Sequence, residues 1–390
     1  MKQNYDEIHI WDFPLTEVSL NLEPKFRAML FKDAVTKFKT SKKLASYLYE
    51  QGKKYEVIRI GLASRIRDWK NITKSIFIPA WIILETANTL KIQKDLVEKK
   101  VESYKTHHGS TNITNPKLPI LVTPEFASLA IHLMCDGTDR RNLKTPLGSY
   151  TQHNPISRNR FYQKMLNIFG NLEPSTLSSD GKQIVLPSCL FLVLKNYYQI
   201  KRFGSFESRI SPIMKNQSKE FKVAILSAFL VDEGTIYDCV SVRVKNRDLL
   251  NDLREIVLSL NYKCSEIERT EDKKSGGYVY KLTISTYSAK KLLNDIKNLA
   301  KLFPTCDLAH KQESLEHIVS LSRKSGSKRK MGKTKEMIVE CLKEPKTVME
   351  ISRNVGIARR TVRQHLEDIL KIDKVKCSGV KGRAKLWLLK

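Results

Sequence analysis

The chain has 390 residues, of which 41% are hydrophobic and 28% are charged. This balance excludes a disordered chain and allows two to four domains, each with its own core. Lys and Arg number 69 against 41 Asp and Glu, a net charge of +28, and the usual partner for such an excess is nucleic acid. An acidic membrane surface is the weaker alternative, because the longest apolar runs, Leu190–Leu194 and Val223–Val231, are too short to cross a bilayer.

Seven cysteines are scattered along the chain without a CxxC pair. Their spacing argues against a zinc site and against a disulfide framework, and it is typical of a reducing cytoplasm. Residues Met1–Trp11 carry no signal-peptide pattern. We therefore expect a cytoplasmic protein, associated with the nucleoid if its partner is DNA, with no membrane partner.

Residues 1–110 are predicted to form an N-terminal helical domain, although the role of residues 1–40 stays open. The predicted helices are Ser41–Gln51, Leu62–Trp69 and Pro79–Leu90. Their order resembles helix-turn-helix domains of the phage-repressor type, which implies that Arg65, Arg67 and Lys70 contact DNA. A plain helical bundle with a solvated basic face is the alternative.

Polar, Gly- and Pro-bearing stretches suggest the domain limits. The clearest are 107–119 and 321–332, and a weaker one is 205–212. The predicted division is 1–110, 118–205, 206–320, a basic linker at 321–332, and 333–390.

Two segments in the middle of the chain match each other. Residues Leu129–Thr138 read LAIHLMCDGT and residues Leu226–Thr235 read LSAFLVDEGT. Each is an apolar helix that ends in an acidic residue, Gly and Thr. The acidic residues are 97 positions apart (233 − 136), a spacing that indicates a structural repeat.

These segments resemble the motifs of the LAGLIDADG family, the homing endonucleases and intein nucleases, over about residues 118–320. The resemblance implies an α+β fold with two pseudo-symmetric αββαββα repeats that form a DNA-binding saddle, flanked by helix-turn-helix and winged-helix domains. It also implies a monomer with an internal pseudo-two-fold axis.

By the same resemblance, Asp136 and Glu233 lie side by side at the ends of two packed helices and bind Mg²⁺ or Mn²⁺. Adjacent carboxylates repel, a divalent cation relieves the repulsion, and the cation can activate water for phosphodiester cleavage. Gly137 and Gly234 let the chain turn out of each helix, and Lys281 is the candidate basic partner.

The sequence departs from the family pattern in two respects. Ile131 and Asp232 occupy positions where the family often has Gly or Ala, so we expect a wider helix contact than in active nucleases. Residues 204–212 also lack the Lys that intein nucleases carry between the motifs, and Arg209 is the nearest cation.

Alternation along the predicted strands places basic residues on one sheet face. Arg243 and Lys245 share a face of Val240–Val244 and its extension, and Lys281 lies on the strand Tyr278–Ser285. Basic residues on one face suit a ribbon that contacts DNA. A single alternating Lys is usually only solvated, so each assignment taken alone is weak.

Residues 333–390 resemble a winged helix-turn-helix. The predicted helices are Lys335–Leu342, Thr347–Asn354 and Ala358–Leu370, and the predicted strands are Val375–Gly379 and Ala384–Leu389. Early positions of the third helix would contact DNA, and the wing would lie over the backbone. These positions are Arg359, Arg360, Arg363 and Gln364 on the helix and Lys381 and Arg383 on the wing. A winged helix that binds another protein is the alternative.

Three functions remain open from the sequence. The first is a sequence-specific, metal-dependent endonuclease of double-stranded DNA, a hydrolase of the homing type. The second is a related DNA-binding regulator that no longer cuts. An RNA-binding protein of the same fold is the third and weakest, because winged helices favour duplex DNA.

Overall fold

A computed structural model describes residues 5–55, 61–140, 147–172, 181–204, 206–272, 276–322, 333–381 and 384–390. The fold is α+β. The chain divides into two compact units, Met1–Ala228 and Phe229–Lys390, and the division falls within one helix. The boundary between the two units does not coincide with a limit of the predicted domains 1–110 and 118–205. Those domain limits therefore stay a prediction.

The first unit contains mixed helices and short strands. In chain order they are β1 (Glu7–Ile8), β2 (Val18–Leu22), α1 (Pro24–Phe38), α2 (Ser41–Gly52), α3 (Leu62–Trp69), β3 (Ile78–Pro79), α4 (Ala80–Leu90), α5 (Lys94–Glu98), β4 (Val101–Thr106), β5 (Asn112–Thr114), β6 (Ile120–Leu121), α6 (Pro124–Cys135), β7 (Gly137–Arg140), β8 (Leu147–Thr151), α7 (Pro155–Phe169), β9 (Asn171–Leu172), β10 (Gln183–Leu186), α8 (Ser188–Tyr197) and α9 (Pro212–Lys215).

The N-terminal part is built on an antiparallel sheet that the helical prediction missed. The order of its described strands is β3-β2-β4-β5-β9. Strand β2 is buried along its whole length, as expected for a central strand covered on both faces. Strand β5 lies inside 107–119, so this stretch is part of a sheet rather than a free linker.

The helices α2, α3 and α4 match the predicted helices closely. Thr40 caps α2, because its side chain accepts a hydrogen bond from the Lys43 backbone N–H. The fully buried Arg27 of α1 organises the chain after α3. Its guanidinium donates to the Trp69 carbonyl at 3.2 Å and to the carbonyls of Asn71 and Lys74 at 2.6 and 2.7 Å.

Helix α6 is buried at every position. A helix that is apolar all round is stable only where protein surrounds it. It leads directly into a small antiparallel sheet whose described strands have the order β10-β8-β7.

The second unit continues α10 into a sheet covered by helices and ends in a smaller module. Its elements are α10 (Lys219–Asp232, which begins in the first unit), β11 (Gly234–Ile236), β12 (Val240–Val244), α11 (Arg247–Ser259), β13 (Glu268–Glu271), β14 (Tyr278–Ile284), α12 (Thr286–Leu302), α13 (Gln312–Ser322), α14 (Lys333–Cys341), β15 (Lys346–Thr347), α15 (Val348–Val355), α16 (Arg359–Lys371), β16 (Val375–Lys381) and β17 (Ala384–Leu389). The order of the described strands is β11-β12-β14-β13, and all neighbours are antiparallel.

The C-terminal module has the helices and the two-stranded wing that the sequence predicts, with one added strand, β15, that pairs with β17. Its core contains Ile338, Ile351, Val362, Leu366 and Ile369. Gly356 takes the left-handed conformation at the end of α15, with φ of 65°. Thr361 and Leu370, on the same helix α16, are exposed.

Candidate functional site

The first motif end is the sequence Cys135-Asp136-Gly137, where α6 stops and β7 begins. The Asp136 N–H donates to the His132 carbonyl at 3.0 Å, so the helical hydrogen bonding runs up to the acidic residue. A Cβ on Gly137 would lie 2.1 Å from the Leu133 carbonyl oxygen. Only glycine therefore lets the strand leave the helix this closely.

The second motif end is Asp232-Glu233-Gly234, where α10 stops and β11 begins. The Glu233 N–H donates to the Phe229 carbonyl at 2.9 Å. A Cβ on Gly234 would lie 2.4 Å from the Leu230 carbonyl oxygen. The two motif ends thus have the same local construction, and both sequence-predicted glycines have the same steric role.

The Asp136 carboxylate is held by a residue that the sequence did not single out. Gln152 donates from its side-chain amide to Asp136 Oδ2 at 2.8 Å, and the Thr151 N–H donates to the Asp136 carbonyl at 3.0 Å. Strand β8 pairs with β7 so that Tyr150 lies opposite Gly137. Gln152, two residues further on, therefore lies near the helix end, which only the hairpin register reveals.

The Glu233 carboxylate has a different electrostatic environment. The residue is half-buried, and its pKa is raised to about 7, first by burial and then by the negative charge of Asp232, while Lys311 acts in the opposite direction. Removing a carboxyl from water disfavours its charged form. At neutral pH a substantial fraction of Glu233 is therefore protonated.

Lys311 is the second residue that the sequence did not indicate. Its ammonium donates to the carbonyl oxygens of Leu230, Val231 and Gly234 at 2.9, 2.5 and 2.7 Å. A cation is favourable at the C-terminal end of a helix, where carbonyls lack partners. Because Lys311 is 78 positions after Glu233 (311 − 233), no local sequence pattern predicts its contact with the second motif end.

Two basic residues of the second sheet, Arg243 and Lys281, lie in one row that continues to the acidic Glu268. Arg243 on β12 lies opposite Lys281 on β14, and Lys281 lies opposite Glu268 on β13. The Lys281 ammonium is 3.3 Å from a Glu268 carboxylate oxygen, and Lys281 is not among the charges that shift the pKa of Glu233. Arg243 and Lys245 are exposed, as the alternation predicts.

The position of Arg359 corrects one prediction. Its side chain is only 3% exposed, and its guanidinium carbon lies 4.2 Å from the ring centre of Tyr237, in the loop between β11 and β12. Arg359 is therefore a packing residue in this structure rather than a surface DNA contact. Arg360, Arg363 and Gln364 remain exposed, although Arg363 also lies 4.9 Å from the Tyr237 ring.

On the wing, exposed Lys381 pairs with Glu350 at the start of α15, at 3.1 Å. The pKa of Glu350 is lowered to about 2, first by the Thr347 backbone N–H and next by Lys381. Glu350 and Thr347 form a capping box. Arg383 lies outside the described residues.

The N-terminal candidates lie on and just after α3. Arg65 and Arg67 are exposed, and Lys70 is half-buried. Ile66 and Trp69, on the opposite side of the helix, are buried. The amphipathic pattern of α3 thus places its two arginines at the surface, where the DNA-binding prediction requires them.

Asp136 and Glu233 fall in different units, and their approach to one another stays a prediction. Over the described part of the chain, no group of three His, Cys, Asp or Glu side chains is arranged to hold a metal. The two carboxylates offer hard oxygen ligands, which suit Mg²⁺ or Mn²⁺. Among the described helices, none is long and apolar enough to span a membrane.

No family model and no curated protein matches the chain. Among solved structures, the chain is similar to "The homing endonuclease I-WcaI bound to its DNA recognition sequence", with a TM-score of 0.30 and 14% identity, over 45% of this chain and 81% of that one.

Proposed function

We propose that this protein binds specific double-stranded DNA through two LAGLIDADG-like αββαββα repeats and cleaves it with Asp136 and Glu233. The observation that carries the proposal is the matched pair of motif ends. In each, an apolar helix stops at an acidic residue, and a glycine turns the chain against its own helix into an antiparallel hairpin. Such a construction presents a carboxylate at a fixed place on a sheet.

The distribution of positive charge supports DNA as the partner. Arg65, Arg67, Arg243, Lys245 and Arg360 are all exposed, and the net charge is +28. Phosphate contacts supply most of the affinity of a DNA-binding protein and release bound counterions. Binding is therefore expected to weaken steeply with added salt.

The donor set fits a divalent cation. Asp136 and Glu233 would hold Mg²⁺ or Mn²⁺, and the bound ion would activate water and stabilise the leaving oxygen. Burial and Asp232 keep part of Glu233 protonated near neutral pH, so ion binding would release a proton. Lys281 is proposed as the basic partner of the reaction, held at its strand position by Glu268.

A DNA-binding regulator that does not cut is the second candidate, and two contacts favour it. Lys311 donates to the carbonyls around the second motif end, where its charge opposes a metal ion. Gln152 donates to the Asp136 carboxylate, which occupies one of its oxygens. In this function both carboxylates would be structural.

The test is incubation of the purified chain with a pool of duplexes, with Mg²⁺, with Mn²⁺ and with a chelator. Metal-dependent cuts that Asp136→Asn and Glu233→Gln each reduce by about a thousandfold or more would support the nuclease. Asp232→Asn is the matched control, because it removes the neighbouring carboxylate and should leave cleavage at pH 8 intact. Specific binding without product under every metal would favour the regulator, and no binding at low salt would overturn both.

We further propose that the protein acts as a monomer with an internal pseudo-two-fold axis, in the cytoplasm and bound to the nucleoid. One chain supplies two carboxylates, and a pseudo-symmetric pair requires no second copy. Light scattering of the protein bound to one duplex would give the mass of one chain plus one duplex. A mass of two chains would overturn the monomer.

A further inference from the structure

The first unit contains a cationic cleft that the proposed nuclease site does not use. It has a volume of about 430 Å³ and lies between α3, the chain that follows α3, and the strands β2 and β4. Its polar and charged lining includes Ser19, Arg65, Lys74, Lys105 and His107. Four of these five residues carry or can acquire a positive charge.

Among the described residues, only Asp68 offers a negative charge to offset these cations. Among the described residues, Arg65, Lys74 and Lys105 form no ion pair through their side chains, and Asp68 is the one carboxylate in the lining. Cations that converge without enough carboxylates repel each other. An anion in the cleft would relieve that repulsion.

His107 adds an adaptable group to the same cleft. Its ring Nδ1 lies 2.7 Å from Ser19 Oγ, so the ring has a fixed orientation. Its pKa is lowered by burial and then by the nearby charges of His108, Arg65 and Lys105. A bound anion would add the opposite influence and favour the protonated ring, which donates from both nitrogens.

The apolar side of the cleft fixes one of its cations. The Lys105 ammonium lies 4.7 Å from the centre of the Phe77 ring, a favourable cation–π distance. The Lys105 side chain is half-buried, and its neighbour Ser19 is almost fully buried. A lysine held this way loses less side-chain entropy when it binds a ligand.

We propose that this cleft binds a phosphate group. Arginine, lysine, histidine and a hydroxyl are the donors that bind phosphate oxygens, and the volume admits one such group with part of its ester. Two sources fit this chemistry: a phosphate of the DNA backbone that lies along α3, or the phosphate of a free nucleotide. Phosphate binding in this cleft does not depend on whether the protein binds or cuts DNA.

Titration calorimetry on the full chain at low salt tests this site, with inorganic pyrophosphate and adenosine monophosphate as probes. We expect saturable binding of one equivalent. Lys105→Gln and His107→Gln should each weaken it by about tenfold, the effect of one charge-assisted hydrogen bond. Lys99→Gln, which removes an exposed lysine outside the lining, is the matched control and should bind as the unaltered chain does.

A duplex binding assay on the same variants distinguishes the two sources. If Lys105→Gln weakens both pyrophosphate and duplex binding, the ligand is a backbone phosphate. If it weakens only pyrophosphate or nucleotide binding, the ligand is a free phosphate. A failure of duplex binding with intact pyrophosphate binding would overturn the proposed function and leave the cleft proposal standing.

A second measurement uses the unaltered protein, and a variant serves only to assign the NMR resonance of His107. Histidine-labelled chain is titrated with pH by NMR, and His107→Gln identifies the resonance. Saturating pyrophosphate should raise the pKa of His107 and leave His9, which lies outside the lining, unchanged. An unchanged His107 together with no calorimetric binding at millimolar pyrophosphate would overturn the site.

Discussion

The two motif ends share a backbone construction and differ in the charges around their carboxylates. At Asp136 a neutral amide, Gln152, donates to the carboxylate at 2.8 Å. At Glu233 the neighbouring groups are a second carboxylate, Asp232, and an ammonium, Lys311. The repeat therefore preserves the backbone shape that presents an acidic residue, whereas the described groups beside that residue differ between the two ends.

The protonation of Glu233 affects metal binding. Glu233, with a pKa of about 7, competes for a proton at neutral pH. We expect Glu233 to decide the pH dependence of any metal-dependent activity.

The largest expected effect tests the shared construction. Gly137→Ala and Gly234→Ala should each lower the free energy of unfolding of their unit by about 3 kcal/mol or more, because each Cβ meets a backbone carbonyl at 2.1 or 2.4 Å. Gly61→Ala is the control, since its Cβ has no neighbour within 4 Å, and it should change stability by less than about 0.5 kcal/mol. Urea unfolding followed by circular dichroism measures all three, and equal stability of the three variants would contradict the shared role.

The next effect tests the charge of Glu233. A carboxyl group whose pKa is higher in the folded state than in the unfolded state destabilises the folded state when it ionises. The free energy of unfolding therefore falls as the pH rises from the unfolded-state pKa to the folded-state pKa. For Glu233 these are its ordinary 4.5 and about 7, so Glu233→Gln should stabilise the second unit by at most about 3 kcal/mol at pH 8. At pH 4 the change should be small.

Thermal unfolding at the two pH values measures this difference. Glu255→Gln, which removes an exposed carboxylate on α11, serves as the control for the same exchange at the surface. A destabilisation by Glu233→Gln at pH 8 would show that the buried charge is compensated by the fold.

A smaller effect separates the two neighbours of Glu233. If cleavage is observed, its rate should fall as pH falls through the pKa of Glu233. Asp232→Asn removes a charge that raises this pKa and should move the acid limb to lower pH. Lys311→Met removes a charge that lowers it and should move the limb to higher pH.

The measurement is the initial rate of cleavage from pH 5 to 9 at saturating metal. Lys297→Met, at an exposed lysine paired with Glu316, is the control for loss of a cation in the same unit. Shifts in the same direction for Asp232→Asn and Lys311→Met would contradict the assignment of Glu233 as the titrating group.

The smallest effect concerns the hairpin after the second motif end, which carries Tyr237. Tyr237→Ala should cost the second unit about 1 kcal/mol, because the ring is the contact of the Arg359 and Arg363 guanidiniums. Tyr287→Ala, at a ring that is 82% exposed, should cost less than half as much. Differential scanning calorimetry compares the two, and equal losses would show that the arginine stack contributes nothing.

Much of the local structure could be predicted from the sequence. Helix α3 has the predicted limits Leu62–Trp69, because its apolar residues recur at helical spacing and buried Trp69 closes it. The wing strands were also predicted, since alternating strands leave clear local patterns. The matched motif glycines were found for the same reason.

The prediction failed where contacts join distant residues. The sheet of the N-terminal part was missed, because its strands are short and β9 comes from residues 171–172, far along the chain from β5. Arg359 was expected at the surface, since its place at the start of a basic helix says nothing about Tyr237 more than a hundred positions earlier.

The sequence by itself determined where the two motif helices end, which residues carry charge, and that two segments repeat one pattern of acid, Gly and Thr. These properties depend on neighbours within a few positions, through hydrogen-bonding geometry and steric clash. Only the tertiary structure decided that Gln152 holds Asp136, that Lys311 caps the helix before Glu233, and that Arg359 is buried. Burial and charge at a point depend on everything that packs around it, and those residues come from segments that the local pattern does not connect.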